Sequence, residues 1–280
     1  MATGILAAKE STMDHEEIES KVAAHYGPSD LTNRLLDKLG LSDAAPGTVP
    51  VEALFPVDQL HHGGVRLTEN MAAVARVQPG ASVLDAGSGI GGSSRWLAHH
   101  FRCGVEAIDL SEEFVKSASD LDVLVGLADR ISHRVGSVTS LPYDDGVFDL
   151  VWSQNVTMNV PDKAAMFAEA FRVLRPGGVI VVTHLGESGT APIDYPLPWA
   201  MTAETSFALS PDAFLRALVE AGFSDVADHS KSVPPLPPPS GPPPKDTPAM
   251  GSRMDERQRN TTSAVADGRL VSMLVTAVRS

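Results

Sequence analysis

The chain has 280 residues, 43% of them hydrophobic and 20% charged. It can bury a large core in one extended domain, or in one domain with a small appendage. Its 35 acidic against 22 basic residues give a formal net charge of -13, a field that repels phosphate backbones and anionic lipid, so neither nucleic acid nor a membrane is an expected partner. The single cysteine, Cys103, excludes an internal disulfide and any multi-cysteine zinc site. No apolar run approaches the ~20 residues of a membrane span, and the first residues carry no basic, apolar leader, so a cytoplasmic protein is expected.

In chain order, residues 1–13 are small and unpatterned, and a frayed start is expected. Asp14 to Ala24 and Leu31 to Leu39 then carry apolar residues at helical spacing, with Ser29-Asp30 offering an N-cap to the second helix. Ala44 to Pro56 contains proline and glycine, and Val57-Asp58-Gln59-Leu60-His61-His62-Gly63-Gly64 is polar. Both read as loop. From Val65 the pattern alternates. A helix over Val65–Val77 precedes a buried strand over Ala81–Asp85, a helix over Gly91–Phe101, a strand over Val105–Asp109 and a helix over Ser111–Leu127 opened by acidic residues. Strands over Ile131–Val135 and Phe148–Ser153, a helix over Asp162–Leu174 and a β-branched strand over Gly178–Thr183 follow. Ser210-Pro211-Asp212 starts a helix that Gly222 ends, and Phe223–Asp228 and Leu270–Val278 supply the last strands. Such alternation means right-handed crossovers and a parallel sheet. Val233 to Pro248 holds nine prolines in sixteen residues, which suits a semi-rigid surface loop, or a docking site for a proline-recognising partner.

The segment Asp85-Ala86-Gly87-Ser88-Gly89-Ile90-Gly91-Gly92 leaves the first strand of the alternating region and opens a helix. Gly87, Gly89 and Gly92 satisfy the G-x-G-x-x-G dinucleotide fingerprint, which is weak by itself. Asp85 discriminates, because a carboxylate there repels a pyrophosphate but attracts the ammonium of an amino-acid cofactor. Asp109 ends the second of these strands about twenty residues past the glycines, where a carboxylate can accept hydrogen bonds from two ribose hydroxyls. A helix cap at Asp109, and a purely structural glycine turn, remain the plain alternatives.

Val83–Leu97 (VLDAGSGIGGSSRWL), Gly136–Tyr143 (GSVTSLPY), Phe148-Asp149 and above all Arg172–Gly178 (RVLRPGG) resemble the successive motifs of class I S-adenosylmethionine-dependent methyltransferases. The resemblance covers about residues 57–228. Within the class, HYG (25–27), DQLHHGG (58–64), SQNVTMNVPDK (153–163) and PLPWA (196–200) resemble the glycine, sarcosine and dimethylglycine N-methyltransferases and the tocopherol-type enzymes. It implies a doubly wound α/β fold, with a mostly parallel seven-stranded sheet, helices on both faces and an antiparallel last strand. It also divides the chain into N-terminal helices and a cofactor-covering lid loop (1–64) and a cofactor-binding domain (65–280).

The cofactor implied is S-adenosylmethionine. Carried over by position, Asp85, Gly87, Ser88 and Gly89 fall at its methionine end, Asp109 and Leu110 at the ribose, Ser137 and Val138 beside the adenine, and Gln154 near the sulfonium. Two positions depart from the family pattern. Ser137 stands where an aspartate usually accepts from the adenine amino group, and Asn155 where many relatives have histidine.

Methyl transfer needs alignment in a dry pocket, and a base only if the acceptor holds a proton. His61, in the lid, and His184, after the strand over Gly178–Thr183, are the candidate bases, with Asn155 beside them in the candidate catalytic set. His62, Asn159 and Trp199 are candidate substrate contacts, with Tyr195 a further aromatic of the same loop. Structural roles for each remain open. The histidines are not spaced as a metal site. A lining of Asn155, Met158, Asn159, Trp199, Met201 and Phe207 lacks an arginine to clamp a free amino acid, with Arg66 the nearest. The reading is a methyltransferase acting on N, O or activated C of a small, partly apolar metabolite, in specialised metabolism. A homo-oligomer is left open. A cofactor-binding interaction protein without catalysis, and an NAD oxidoreductase, are the competing readings.

Overall fold

The computed structural model describes residues 17–21, 30–234, 249 and 253–280. Its strands are β1 Ser82–Ala86, β2 Gly104–Asp109, β3 Ile131–Val135, β4 Phe148–Gln154, β5 Leu174–Glu187, β6 Ser224–Asp228 and β7 Leu270–Val278. They form one sheet in the order β3-β2-β1-β4-β5-β7-β6. β3 through β5 run parallel, and β7 is antiparallel to both its neighbours. The α-helices are α1 Leu31–Leu39, α2 Phe55–Asp58, α3 Gly64–Ala75, α4 Gly92–Phe101, α5 Glu112–Val125, α6 Lys163–Val173, α7 Pro211–Glu220 and α8 Met254–Ala266. This is the doubly wound class that the motifs imply. None of the described helices is long and apolar enough to cross a membrane.

The period-two rule explains why the inner strands read as nearly continuous apolar runs. Val83 packs with Trp96, Val105 and Trp152 on one face of the sheet, while its neighbour Leu84 packs with Ile108, Phe167 and Ile180 on the other. Helix starts follow their local chemistry. The hydroxyls of Ser111 and Ser210 and the carboxylate of Asp162 accept from the backbone N–H three residues on, opening α5, α7 and α6. β2 and β4 flank β1 on opposite sides, so the chain order reverses there and a crevice opens beyond the carboxyl ends of β1 and β4.

Four expectations change. Asp30 is in left-handed backbone and makes no side-chain cap to α1. Part of the expected loop is helical, since Val51–Leu54 forms a 3-10 turn that runs into α2. β5 extends to Glu187, because β7 pairs with it from Val278 opposite Val179 down to Leu270 opposite Glu187. α8 has no counterpart in the sequence reading, because MDERQRNTTSAVA lacks a clear apolar stripe and buries only Arg257, Thr261 and Ala264. Of the expected helix over Asp14–Ala24, residues 17–21 are helical and the rest lies outside the described residues. So do residues 1–13, the segment 25–27, Ser29 and most of the proline-rich stretch.

A fully buried guanidinium joins the N-terminal part to the sheet. Arg95 of α4 donates from Nε and Nη2 to Asp58 Oδ2 at 3.2 and 3.1 Å, and from Nη1 to Asp122 Oδ1 at 2.8 Å. It also donates to the carbonyl of Ile90 in the glycine loop. His133 on β3 holds the other Asp122 oxygen at 2.7 Å. Removing the cation leaves two buried carboxylates uncompensated. Arg95→Met is therefore expected to lose ~3–5 kcal/mol of stability, measured by urea unfolding, and a loss within ~0.5 kcal/mol would show that the pairs contribute nothing net.

Candidate functional site

A cavity of about 190 Å³ lies beyond the strand ends, lined by the glycine loop, both carboxylates, the 58–62 segment, the 154–161 loop, Trp199 and Thr261. Its floor is the turn from β1 into α4. Gly87 has φ +86, and a Cβ there would lie 2.3 Å from Val156 Cγ2. A Cβ on Gly92 would lie 2.3 Å from the Asp58 carbonyl oxygen. Both positions therefore require glycine. Gly89 differs, since a Cβ on it would meet only Leu60 at 3.8 Å. Its backbone is thus bare toward the cavity, where a ligand can approach closely. The Ser88 hydroxyl beside it is buried with no partner among the described residues.

Asp85 is 1% exposed and accepts from Ser94 Oγ at 2.6 Å. Burial pushes its carboxyl up to about 6, against the lowering effects of that bond and of His133. Asp109 at the end of β2 accepts from the N–H groups of Gly89 at 2.8 Å and Ser111 at 2.9 Å. It too is raised, by burial first, with those backbone bonds opposing. Two desolvated carboxylates, Asp85 buried and Asp109 half-buried, held without a direct ion pair, are groups a cationic, hydroxyl-bearing ligand would relieve.

The expected adenine end holds an addition. Ser137 hydrogen-bonds to Thr139 at 2.7 Å and donates to a carboxylate oxygen of Glu19. Glu19 comes from the helical turn 17–21 and lines the cavity. A carboxylate thus stands beside the position where the sequence shows only a hydroxyl. Val138 and Leu110 also line the cavity.

The lid segment enters through its histidines. Gln154 Nε2 lies 3.1 Å from His61 Nδ1, and Asn155 Nδ2 lies 3.0 Å from His62 Nδ1. Burial lowers both imidazoles to about 4, so they are neutral at neutral pH. Asn155 itself sits at φ +58, a left-handed conformation that asparagine adopts more readily than most side chains. Asn159 lines the cavity with its Oδ1 unpartnered among the described residues. Trp199 lines it too, its indole N–H donating to Ser206 Oγ at 3.1 Å.

His184 is a correction. It is fully buried outside the cavity lining, bonded to Thr157 Oγ1 at 2.7 Å and to the Leu209 backbone at 3.1 Å, and stacked on Phe214 at 4.4 Å. Burial lowers it to about 3, so it serves packing in place of proton transfer. Met201, Phe207, Tyr195 and Arg66 are likewise outside the lining. Met201 accepts from Arg257, Phe207 packs beside Lys163, and Arg66 faces solvent.

Residues 84–182 match the family model of a methyltransferase domain. That segment is a methyltransferase domain, and the chain as a whole resembles class I S-adenosylmethionine-dependent methyltransferases. It is 34% identical over 172 residues to the sarcosine/dimethylglycine N-methyltransferase of Halorhodospira halochloris, covering 60% of this chain and 62% of that one. It is 36% identical over 165 residues to the chloroplastic tocopherol O-methyltransferase of Arabidopsis thaliana, covering 55% and 47%. The chain thus spans less than two thirds of the length of either relative. The fold is shared with the geranyl diphosphate C-methyltransferase of Streptomyces coelicolor A3(2), whose structure holds S-adenosyl-L-homocysteine. That match has a TM-score of 0.67 at 20% identity over 94% of this chain and 98% of that one.

Glu19 and Thr261 line the cavity without a signal in the sequence. Glu19 is one acid among several in DHEEIES, and Thr261 sits in a polar helix.

Asp85 gives a prediction with two signs. Its folded pKa, about 6, lies above the usual carboxylate value. The stability it contributes is therefore full at low pH and lost as pH rises through about 6. At mildly alkaline pH, Asp85→Asn should raise the melting temperature of the ligand-free protein, by ~2–4 °C for each ~1 kcal/mol recovered, while weakening S-adenosylmethionine binding. Wild-type affinity should fall as pH drops below about 6. A variant that is less stable yet binds normally would remove Asp85 from the site.

Proposed function

We propose that this chain transfers a methyl group from S-adenosylmethionine to N, O or activated C of a small, partly apolar acceptor. The observation that carries the proposal is the pairing of a bare backbone at Gly89 with two carboxylates raised by desolvation, Asp85 and Asp109, around one cavity. A cofactor with an ammonium at one end and a ribose diol in the middle relieves both. Bound there, it supplies a sulfonium methyl open to in-line attack.

The chain's own residues do the rest. Asp85 attracts the ammonium and Asp109 accepts from the ribose hydroxyls. Glu19, held on Ser137, offers the acceptor that an aspartate would otherwise provide for the adenine amino group. Gln154, with its Oε1 bonded to Ser93, Trp152 and Thr68, keeps the polar wall near the sulfonium fixed. Val156, Met158, Leu185 and Trp199 make the remaining wall apolar and exclude water from the transfer. The lid formed by 58–62 is tied down through Asp58 and Arg95, so the pocket is organised before the acceptor arrives.

Calorimetric titration tests the proposal. Wild type should bind S-adenosylmethionine, and Asp109→Ala should lose ~2–3 kcal/mol of binding, because two hydroxyls lose a charged acceptor. Glu19→Gln should lose ~1 kcal/mol, and Ser137→Asp in that background should restore it. Unchanged affinity in Asp109→Ala, with the fold intact by circular dichroism, would overturn the ribose assignment.

A further inference from the structure

The tautomers of His61 and His62 follow from their partners. Trp152 Nε1–H donates to Gln154 Oε1 at 3.1 Å, and an indole nitrogen can only donate. This fixes the amide, so Gln154 Nε2 is the group 3.1 Å from His61 Nδ1. Thr183 Oγ1 accepts from the Asn155 backbone N–H at 2.9 Å and donates to Asn155 Oδ1 at 2.8 Å. Flipping Asn155 would leave that buried hydroxyl proton without an acceptor among the described residues. Asn155 Nδ2 therefore faces His62 Nδ1. Each Nδ1 meets an amide donor and must be the lone-pair nitrogen. The His62 carbonyl, 3.2 Å from His61 Nδ1, would take a proton there only by setting it against the pinned Gln154 amide. In both neutral rings the proton is on Nε2, and each Nε2 is buried without a partner among the described residues.

We propose that His61 and His62 present their Nε2–H groups to an oxygen of the methyl acceptor, and that the acceptor is a phenol or an enolisable carbonyl compound methylated at or next to that oxygen. This rests on the methyl-transfer reading of the cavity. Burial keeps both donors uncharged. Glu19, Asp58, Asp85 and Asp109 line the cavity and no described lysine or arginine does. A phosphate would find too little positive charge there, whereas a single oxygen on an apolar body needs only donors. The acceptor gives its proton to bulk water before it is enclosed and binds as the phenolate or enolate, whose electron pair forms the new bond to the methyl carbon. The pair of the broken carbon–sulfur bond stays on sulfur. A ring whose two nitrogens are thus engaged cannot also be the general base, which corrects the role expected of His61.

Long-range proton–nitrogen correlation spectra of isotope-labelled protein at neutral pH should show both rings as neutral Nε2–H tautomers. Asn155→Asp should reverse His62 to Nδ1–H. In a second arm, naphthol, dimedone, naphthylamine and inorganic phosphate are titrated into protein holding S-adenosylhomocysteine. Naphthol or dimedone should bind, and naphthylamine and phosphate should bind at least ~10-fold more weakly. His62→Phe should lose ~10-fold or more for the oxygen compound while S-adenosylhomocysteine affinity stays within ~2-fold. An Nδ1–H or cationic ring, equal naphthol and naphthylamine affinities, tighter phosphate binding, or an unaffected His62→Phe variant would overturn the proposal. Wild type that fails to bind S-adenosylhomocysteine would overturn the cofactor reading instead, and the spectra would still decide the tautomers.

Discussion

The buried guanidinium of Arg95 joins parts of the chain that lie far apart in sequence. It holds Asp58 at the start of the lid, the Ile90 carbonyl in the glycine loop and Asp122 on α5, and through Asp122 it reaches His133 on β3. A cation with five donors in a rigid fork can satisfy several carbonyl and carboxylate oxygens at once. A lysine, a compact point charge with three donors, could not keep the same three elements in register. The lid therefore stands over the glycine loop as a fixed wall. Gly92 has to be glycine because the Asp58 backbone passes against it. The apolar side chains Leu31, Leu35, Leu54 and Val57 pack on Ile90, Phe114 and Leu121 around the same hub, so the ionic contacts and the local core define one geometry.

Within that frame the cavity is acidic at one end and neutral at the other. Desolvation raises the carboxyls of both Asp85 and Asp109 and so penalises their charged forms, a strain of the kind found where a cationic ligand completes the charge balance. At the opposite wall the polar groups are amides and imidazoles whose orientations are locked by Trp152 and Thr183 on the sheet. The lining is thus acidic at Asp85 and Asp109 and uncharged at the amides and imidazoles.

Much of the fold is legible in the sequence. The glycine loop, Ser111, Asp162 and Ser210 act through turn and cap chemistry within a few residues. The β-branched run at 178–183 declares a buried strand by composition alone. Asp85 and Asp109 are equally legible, because a strand ending beside a glycine turn leaves its last side chain in the crevice. Helix α8 is not legible, because its buried face is Arg257, Thr261 and Ala264, and no apolar period marks it. His184 misleads for a related reason. Position at a strand end predicts exposure to the crevice, but Phe214 and the Leu209 backbone enclose the ring.

The sequence by itself determined the order of the strands and of most helices and the place of the glycine turn, because periodicity, capping and glycine turns act over a few residues. Only the tertiary structure decided which polar groups meet across the cavity. Glu19 reaches Ser137 from 118 residues away, and His61 and His62 each meet their amides from 93 residues away. Contacts at such separations depend on the crossovers and on the packing of the N-terminal segment against α5. No local pattern encodes which nitrogen of an imidazole will be left without a partner.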